Sequence, residues 1–436
     1  PAPPPAPPAP PPAAPPPPLH LTVAGYAQSG PDIFGTEQNH QHGAPLALSG
    51  DGLTFVAGSQ WASANADVRA YAWNGTAWSQ KGEDIHDHVA DTGAGYWDTT
   101  VGRIWDVAIS TNGSRIALSS RYGDYALVVE YDATSDKWET VGSILHAADF
   151  AVTPSSSAIS VALSGDGARL AVGFFAQGME VFDYNAATNM WGAKGSHIDL
   201  GVSVNNNWFG WEIAMSADGA VVAMGNRGDP GRVRTFEWGE TDWQPRGGSD
   251  DLGAPYAIVG DGGAGTTSRG FGSSGFTLSA DGSRIAIGCP NSITNGLESA
   301  GFAQAFRWTG TAWEQLGATF EGEVSNQALG ASSALSADGM TLAIGSYNQG
   351  ATGGGFVDVY VWDAGPSEWQ LVQTLRGDES LPAHDKAMFG YQLGISDDGS
   401  VVIAAAQNSR DASGLTYVGY VRTFARYDHA SPPALP

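Results

Sequence analysis

Apolar and polar positions along the chain fall into a unit that returns seven times. Its clearest copy is Ala334-Leu335-Ser336-Ala337-Asp338-Gly339-Met340-Thr341-Leu342-Ala343-Ile344-Gly345, an apolar run, a polar turn and a second apolar alternation. That is the pattern of a β-hairpin. Asp can fold its carboxylate back onto nearby backbone N–H groups, and Gly adopts positive φ without steric cost, so the chain reverses there. The turn serine recurs as Ser49, Ser110, Ser164, Ser216, Ser279, Ser336 and Ser396, followed two residues on by Asp, or by Asn112 in the second copy, and then by Gly. The intervals are 61, 54, 52, 63, 57 and 60 residues. A period of this size, with several short strands per unit, marks radial repetition of sheets that cannot bury their faces alone.

Each unit carries a second hairpin. Alternating runs ending in aromatics, such as Val68-Arg69-Ala70-Tyr71-Ala72-Trp73 and Val357-Asp358-Val359-Tyr360-Val361-Trp362, precede strands headed by Trp78, Trp138, Trp191, Trp243, Trp313 and Trp369. Their recurring place predicts packing between neighbouring sheets rather than sugar stacking. The seventh unit reaches its third strand at Tyr420–Tyr427 and then runs into Ser431-Pro432-Pro433 with no fourth. The run from Leu19 to Tyr26 has no partner beside it and can supply the missing strand through Leu21 and Val23, which removes an exposed edge. The expected fold is all-β: a seven-bladed β-propeller over residues 19–427, with four-stranded blades and a ring closed by an N-terminal strand. Tips within hairpins are short, whereas Gln28 to Ala44, Glu83 to Gly102, Gly248 to Gly270 and Pro290 to Ala300 are long connections. In a propeller those long connections share one face, where function is expected.

Phe209-Gly210, Phe271-Gly272 and Phe389-Gly390 stand just before the first hairpin of their units, with Leu329-Gly330 as a variant. With Gly288-Cys289-Pro290 and Gly301, they make residues 19–427 resemble the FG-GAP repeats of integrin α-subunit propellers. In that family some blades bind Ca²⁺ through loops with several carboxylates. Here a turn such as Ser336-Ala337-Asp338-Gly339 offers one carboxylate, and Asp397-Asp398 two, against the roughly six to eight oxygens Ca²⁺ takes. No calcium and no other cofactor is assigned.

Residues 1–18 are only Pro and Ala. Proline fixes φ and removes a donor, so this arm is expected to be a polyproline II rod of roughly 56 Å. Its composition is similar to the hydroxyproline-rich segments of algal and plant extracellular glycoproteins. Residues 428–436 form a short tail. No charged-then-apolar leader stands at the start, so either the numbering begins after processing or the chain is not secreted. The 59 glycines and 15 tryptophans suit a β protein with many tight turns. A formal net charge of −25 argues against nucleic acid as a partner, and no apolar run is long enough to span a membrane. The single Cys289 excludes an intrachain disulfide, and its apolar approach predicts a buried thiol rather than a nucleophile.

Asn74-Gly75-Thr76 and Asn112-Gly113-Ser114 are glycosylation sequons at hairpin tips. His40 and His42, with His86 and His88, lie in long loops of neighbouring blades and could converge on zinc or copper, but surface histidines with no shared role are the preferred reading. No Ser-His-Asp, Cys-His or paired-carboxylate set stands out. The expectation is a secreted, non-catalytic structural glycoprotein that forms homo-oligomers or a fibre through its proline-rich arm. A glycan- or protein-binding adhesion module is the alternative, and a carbohydrate-active propeller with an acidic pocket near its channel is the third.

Overall fold

The computed structural model describes residues 25–59, 68–85, 104–120, 125–146, 158–174, 177–198, 209–226, 231–247, 258–259, 271, 275–348, 354–377, 388–410 and 414–427. Among them the strands form seven antiparallel sheets, each built outward from an inner strand that leads into a Ser-x-Asp turn, or Ser-x-Asn in blade 2. Blade 1 is His42–Leu48, Thr54–Ser59, Val68–Trp73 and Trp78–Gln80. The inner strands of blades 2 to 6 are Ile104–Ile109, Ala158–Leu163, Glu212–Met215, Phe276–Leu278 and Leu329–Leu335. Blade 7 takes three strands from the C-terminal end, Phe389–Ile395, Val401–Ala406 and Tyr420–Arg426, and its fourth, Tyr26–Gln28, from the N-terminal end.

That fourth strand closes the ring, with Tyr26 opposite Arg426 and Gln28 opposite Phe424. It extends past the expected Leu19 to Tyr26 run, and Leu21 and Val23 lie outside the described residues. The blades are four-stranded, as expected. Among the described residues, four blades carry an addition beside that path, where the chain doubles back after the outer strand and pairs two more residues with the third strand: Ile33–Phe34, Leu145–His146, Ile258–Val259 and Phe320–Glu321.

The seven turns share one set of bonds. The Ser Oγ donates to the carboxylate or amide oxygen two residues on at 2.5–2.9 Å, and accepts the backbone N–H five residues on at 2.9–3.0 Å. The same Asp or Asn oxygen takes a further backbone N–H. These serines are at most 2% exposed, so each buried hydroxyl is satisfied as donor and acceptor.

The turns are also bonded to one another. The N–H groups of Asp51, Thr111, Gly165, Ala217, Ala280, Ala337 and Asp397 donate in turn to the carbonyls of Thr111, Gly165, Ala217, Ala280, Ala337, Asp397 and Gly50, at 2.7–2.9 Å. This circle returns to its start, one bond per blade junction. It knits the turn face together, while the described long connection 290–300 lies at the opposite face.

Side chains complete each junction. The indole N–H of Trp138, Trp191, Trp243 and Trp369 donates to the carbonyl of Lys81, Val141, Lys194 and Leu316 in the preceding blade at 2.8–2.9 Å. Trp78 and Trp313 donate instead to the hydroxyls of Thr423 and Thr235 at 3.0 and 2.9 Å. The tryptophans are junction residues, and their polar edge is spent on the neighbour. Cys289 is fully buried among Phe271, Ile287 and Phe302.

Candidate functional site

Asn74 and Asn112 are both exposed at turns, as the sequons require. At Asn74 the side-chain carbonyl accepts the Thr76 N–H and hydroxyl and the Ala77 N–H at 2.9–3.0 Å, which spares the amide nitrogen that would carry a sugar. Asn112 is the second copy of the turn acid, and its oxygen holds Ser110 and the Ser114 N–H at 2.9 and 3.0 Å. Asn112→Asp is therefore expected to keep stability within about 0.5 kcal/mol, whereas Asn112→Ala costs about 1 kcal/mol or more. Urea unfolding of the two variants measures this. Equal losses would show that the oxygen has no role in the turn.

The histidine expectation needs correcting. His40 and His42 are not surface residues, being 4% and 0% exposed. His42 occupies the place seven residues before the turn serine that Phe209, Leu329 and Phe389 fill in other blades, and its ring meets Tyr71 edge-on at 6.0 Å. Burial, with the nearby Arg69 charge, pushes its imidazole down to about 3, so it stays neutral as a core ring. His40 Nε2 is 3.0 Å from Glu37. His86 and His88 lie outside the described residues, and among the described residues no three His, Cys, Asp or Glu side chains are grouped to hold a metal.

Two features on the long-connection side have the makings of a site. The first lies on the inner strands. Asp106 of blade 2 and Glu212 of blade 4 each stand four residues before their turn serine and directly after a tryptophan. Trp105 and Trp211 meet edge-on with centroids 5.9 Å apart, so the two inner strands approach across blade 3. Asp106 is anchored by the Val107 N–H at 2.8 Å and by the Val161 N–H of blade 3 at 2.9 Å. Burial pushes Asp106 up to about 7 despite those donors. Burial and the Asp106 charge hold Glu212 well above its ordinary range. Sequence reading missed this pair because 106 residues separate its members; the signal was an acid at a position that holds Pro45, Ser160, Ser332 or Gln392 in other blades.

Both acids keep their protons to higher pH in the folded chain than in the unfolded one. From about pH 4 to about pH 7 the folded state thus binds more protons, and this pair's contribution to stability falls as pH rises. Glu212→Gln removes the penalty of holding Glu212 protonated where the unfolded chain would ionise it, while the burial that raises Asp106 remains. The variant's melting temperature should match wild type near pH 4 and exceed it by about 2 °C or more near pH 7. A difference that does not change with pH would contradict the raised pair.

The second feature is a cavity of about 440 Å³ on the flank between blades 5 and 6. Phe320 comes from the doubled-back strand of blade 5, and Phe356, Tyr360 and Leu371 from the two outer strands of blade 6. Phe320 and Tyr360 are tilted against each other with centroids 4.6 Å apart. Asp358 holds this wall in place, accepting the Thr374 hydroxyl at 2.5 Å and the Tyr360 hydroxyl at 3.3 Å. Burial raises the Asp358 carboxyl, and burial with the Asp358 charge raises the Tyr360 hydroxyl, which stays a donor.

The fold defines the class: this is a seven-bladed β-propeller. Comparison with solved structures supports that at the level of fold. The chain is similar to Kuenenia stuttgartiensis hydrazine synthase at 12% identity and a TM-score of 0.51, covering 85% of this chain and 93% of that one. It is also similar to the Cps50 (Swd1) β-propeller domain of Myceliophteria thermophila at 11% identity and a TM-score of 0.52, covering 91% of this chain and all of that domain. No family model matches the chain. No curated protein matches it by sequence.

Proposed function

We propose that this chain is a non-catalytic, secreted structural propeller of FG-GAP type, glycosylated at Asn74 and Asn112, whose proline-rich arm joins copies into a fibre or matrix. The observation that supports the reading is where the described chain begins. Gly25 accepts the Tyr427 N–H at 3.1 Å, and Arg426 donates to Ser400 of the blade 7 turn at 2.7 Å, so the described chain, to which the arm is joined, begins at the knitted turn face. The long-connection face lies at the other end. A rod leaving one face to be held at the opposite face of a neighbour makes a head-to-tail contact, which propagates unless its rotation closes. Strong net negative charge favours an uncharged connector between copies, because the propeller surfaces themselves repel.

The test is deletion of residues 1–18, which leaves the closing strand in place, followed by sedimentation velocity. The expected result is loss of all species larger than a monomer; assembly that continues unchanged overturns the reading. Asp106, Glu212 and the paired tryptophans favour a second reading, a propeller that binds or cleaves carbohydrate at its channel. Turnover on a polysaccharide panel that Glu212→Gln abolishes would support it.

A further inference from the structure

The flank cavity between blades 5 and 6 has the chemistry of a receptor for polyproline. Val324 and Leu371 at its margin are 44% and 53% exposed, two of the seven large apolar side chains left in water among the described residues. Phe320, Tyr360 and Phe356 line the same cavity, and the Arg376 guanidinium lies 6.0 Å from the Phe356 ring. A polyproline II rod offers pyrrolidine faces and bare carbonyls and loses little entropy on docking. Grooves that take it therefore supply aromatic rings for the faces and a few donors for the carbonyls.

We propose that this groove receives residues 1–18 of a second copy of the chain. The proposal rests on the fibre reading above and names the surface that reading leaves open. Three observations select the occupant. Residues 1–18 hold thirteen prolines, five alanines and no charge, so they can lie beside Glu321 and Glu323 without repulsion. The groove's far end is built from Leu329, Phe356 and Arg376, which are the first or last residues of their strands at the long-connection face. The described chain begins at Gly25, at the turn end of blade 7, whereas the groove lies between blades 5 and 6 and ends at the long-connection face. A seven-residue strand spans about 23 Å, whereas the rod spans roughly 56 Å, so one arm can cross the junction and run along the next propeller's flank.

The experiment uses full-length chain, the chain lacking residues 1–18, and full-length Leu371→Asp and Val324→Asp. Met190→Asp, 55% exposed on blade 3, is the control for adding a surface charge. Assembly is read by sedimentation velocity. Affinity for a fluorescent peptide of the sequence of residues 1–18 is read by anisotropy on the same propellers lacking the arm. The expected result is that Leu371→Asp and Val324→Asp sediment as monomers and bind the peptide at least tenfold more weakly, while Met190→Asp matches wild type in both. If arm deletion abolishes assembly but the groove variants assemble and bind peptide normally, the groove assignment is wrong and the fibre reading survives. If arm deletion changes nothing, both fall. A monomeric full-length chain, as an arm seated on its own propeller would give, also overturns the proposal.

Discussion

Tyr26→Ala is expected to destabilise the propeller by about 3–5 kcal/mol, the range for emptying a buried aromatic site. Tyr26 is 3% exposed and packs with Leu375, Phe389, Val402 and Phe424, so the void would open at the junction of blades 6 and 7. Its hydroxyl donates to the Gly399 carbonyl at 2.5 Å, and burial pushes that hydroxyl up to about 12, so it donates throughout the neutral range. Gln373 of blade 6 clamps the Tyr26 backbone from both sides, accepting its N–H at 2.6 Å and donating to its carbonyl at 3.0 Å. Only three residues of the closing strand pair with blade 7 among the described residues, so Tyr26 carries a large share of what holds the two ends together. Tyr26→Phe keeps the packing and leaves the Gly399 carbonyl unpaired, which costs about 1–2 kcal/mol. Denaturant midpoints of the three proteins measure both steps. The alanine variant should also gain sedimenting aggregate, because a frayed blade 7 exposes the edge of Tyr420–Arg426. If alanine and phenylalanine cost the same, the side chain is not the seal.

The same residue marks how far the sequence could be read. The hairpin count, the missing fourth strand and its supply from the other end all follow from apolar alternation and from Ser-x-Asp-Gly. The register of the closing strand does not, because the stretch from Leu19 to Tyr26 alternates well enough to be a strand by itself. A finer repeat carried the answer. Tyr26, Gln28, Gly30, Asp32 and Ile33 keep the spacing of Trp78, Gln80, Gly82, Asp84 and Ile85. The structure repeats its bonds as well: Arg69 forks onto Asp84 at 2.9 and 3.0 Å, and Arg422 onto Asp32 at 2.8 and 2.7 Å. Tyr26 is thus the seventh copy of the junction tryptophan. His42 was obscured in a different way, since a histidine before a glycine reads as polar until its place is aligned with Phe389. The backbone circle linking the turns leaves no trace in residue type, because it is made by N–H and C=O groups that Gly, Ala, Thr and Asp present alike.

Gly330→Ala is expected to cost on the order of 3–5 kcal/mol, and the reason explains why glycine follows Phe or Leu at the head of the inner strand. Gly330 sits at φ +82°, a left-handed conformation that charges a side-chain-bearing residue about 1–2 kcal/mol. A Cβ there would lie 2.4 Å from the Phe302 carbonyl oxygen, 2.9 Å from Gly288 Cα and 3.0 Å from the Cys289 nitrogen, all backbone of blade 5. Backbone cannot rotate aside as a side chain can, so relief requires blades 5 and 6 to part along a seam where Leu329 and Ile344 are buried. Gly210 and Gly390 share the conformation, at +85° and +83°, and each would place a Cβ 2.5 Å or less from a backbone oxygen of the preceding blade. The apolar residue fills the junction and the glycine lets the next blade come close, so the pair is a packing device whatever the protein binds. Gly310→Ala separates the two costs. Gly310 has φ +94° at an exposed tip, where an added Cβ would meet nothing within 4 Å, so the variant should lose only the conformational part, about 1 kcal/mol. Unfolding midpoints of the two variants give the difference directly. Equal losses would mean that the blades yield at the seam and that close approach is not what the glycine secures.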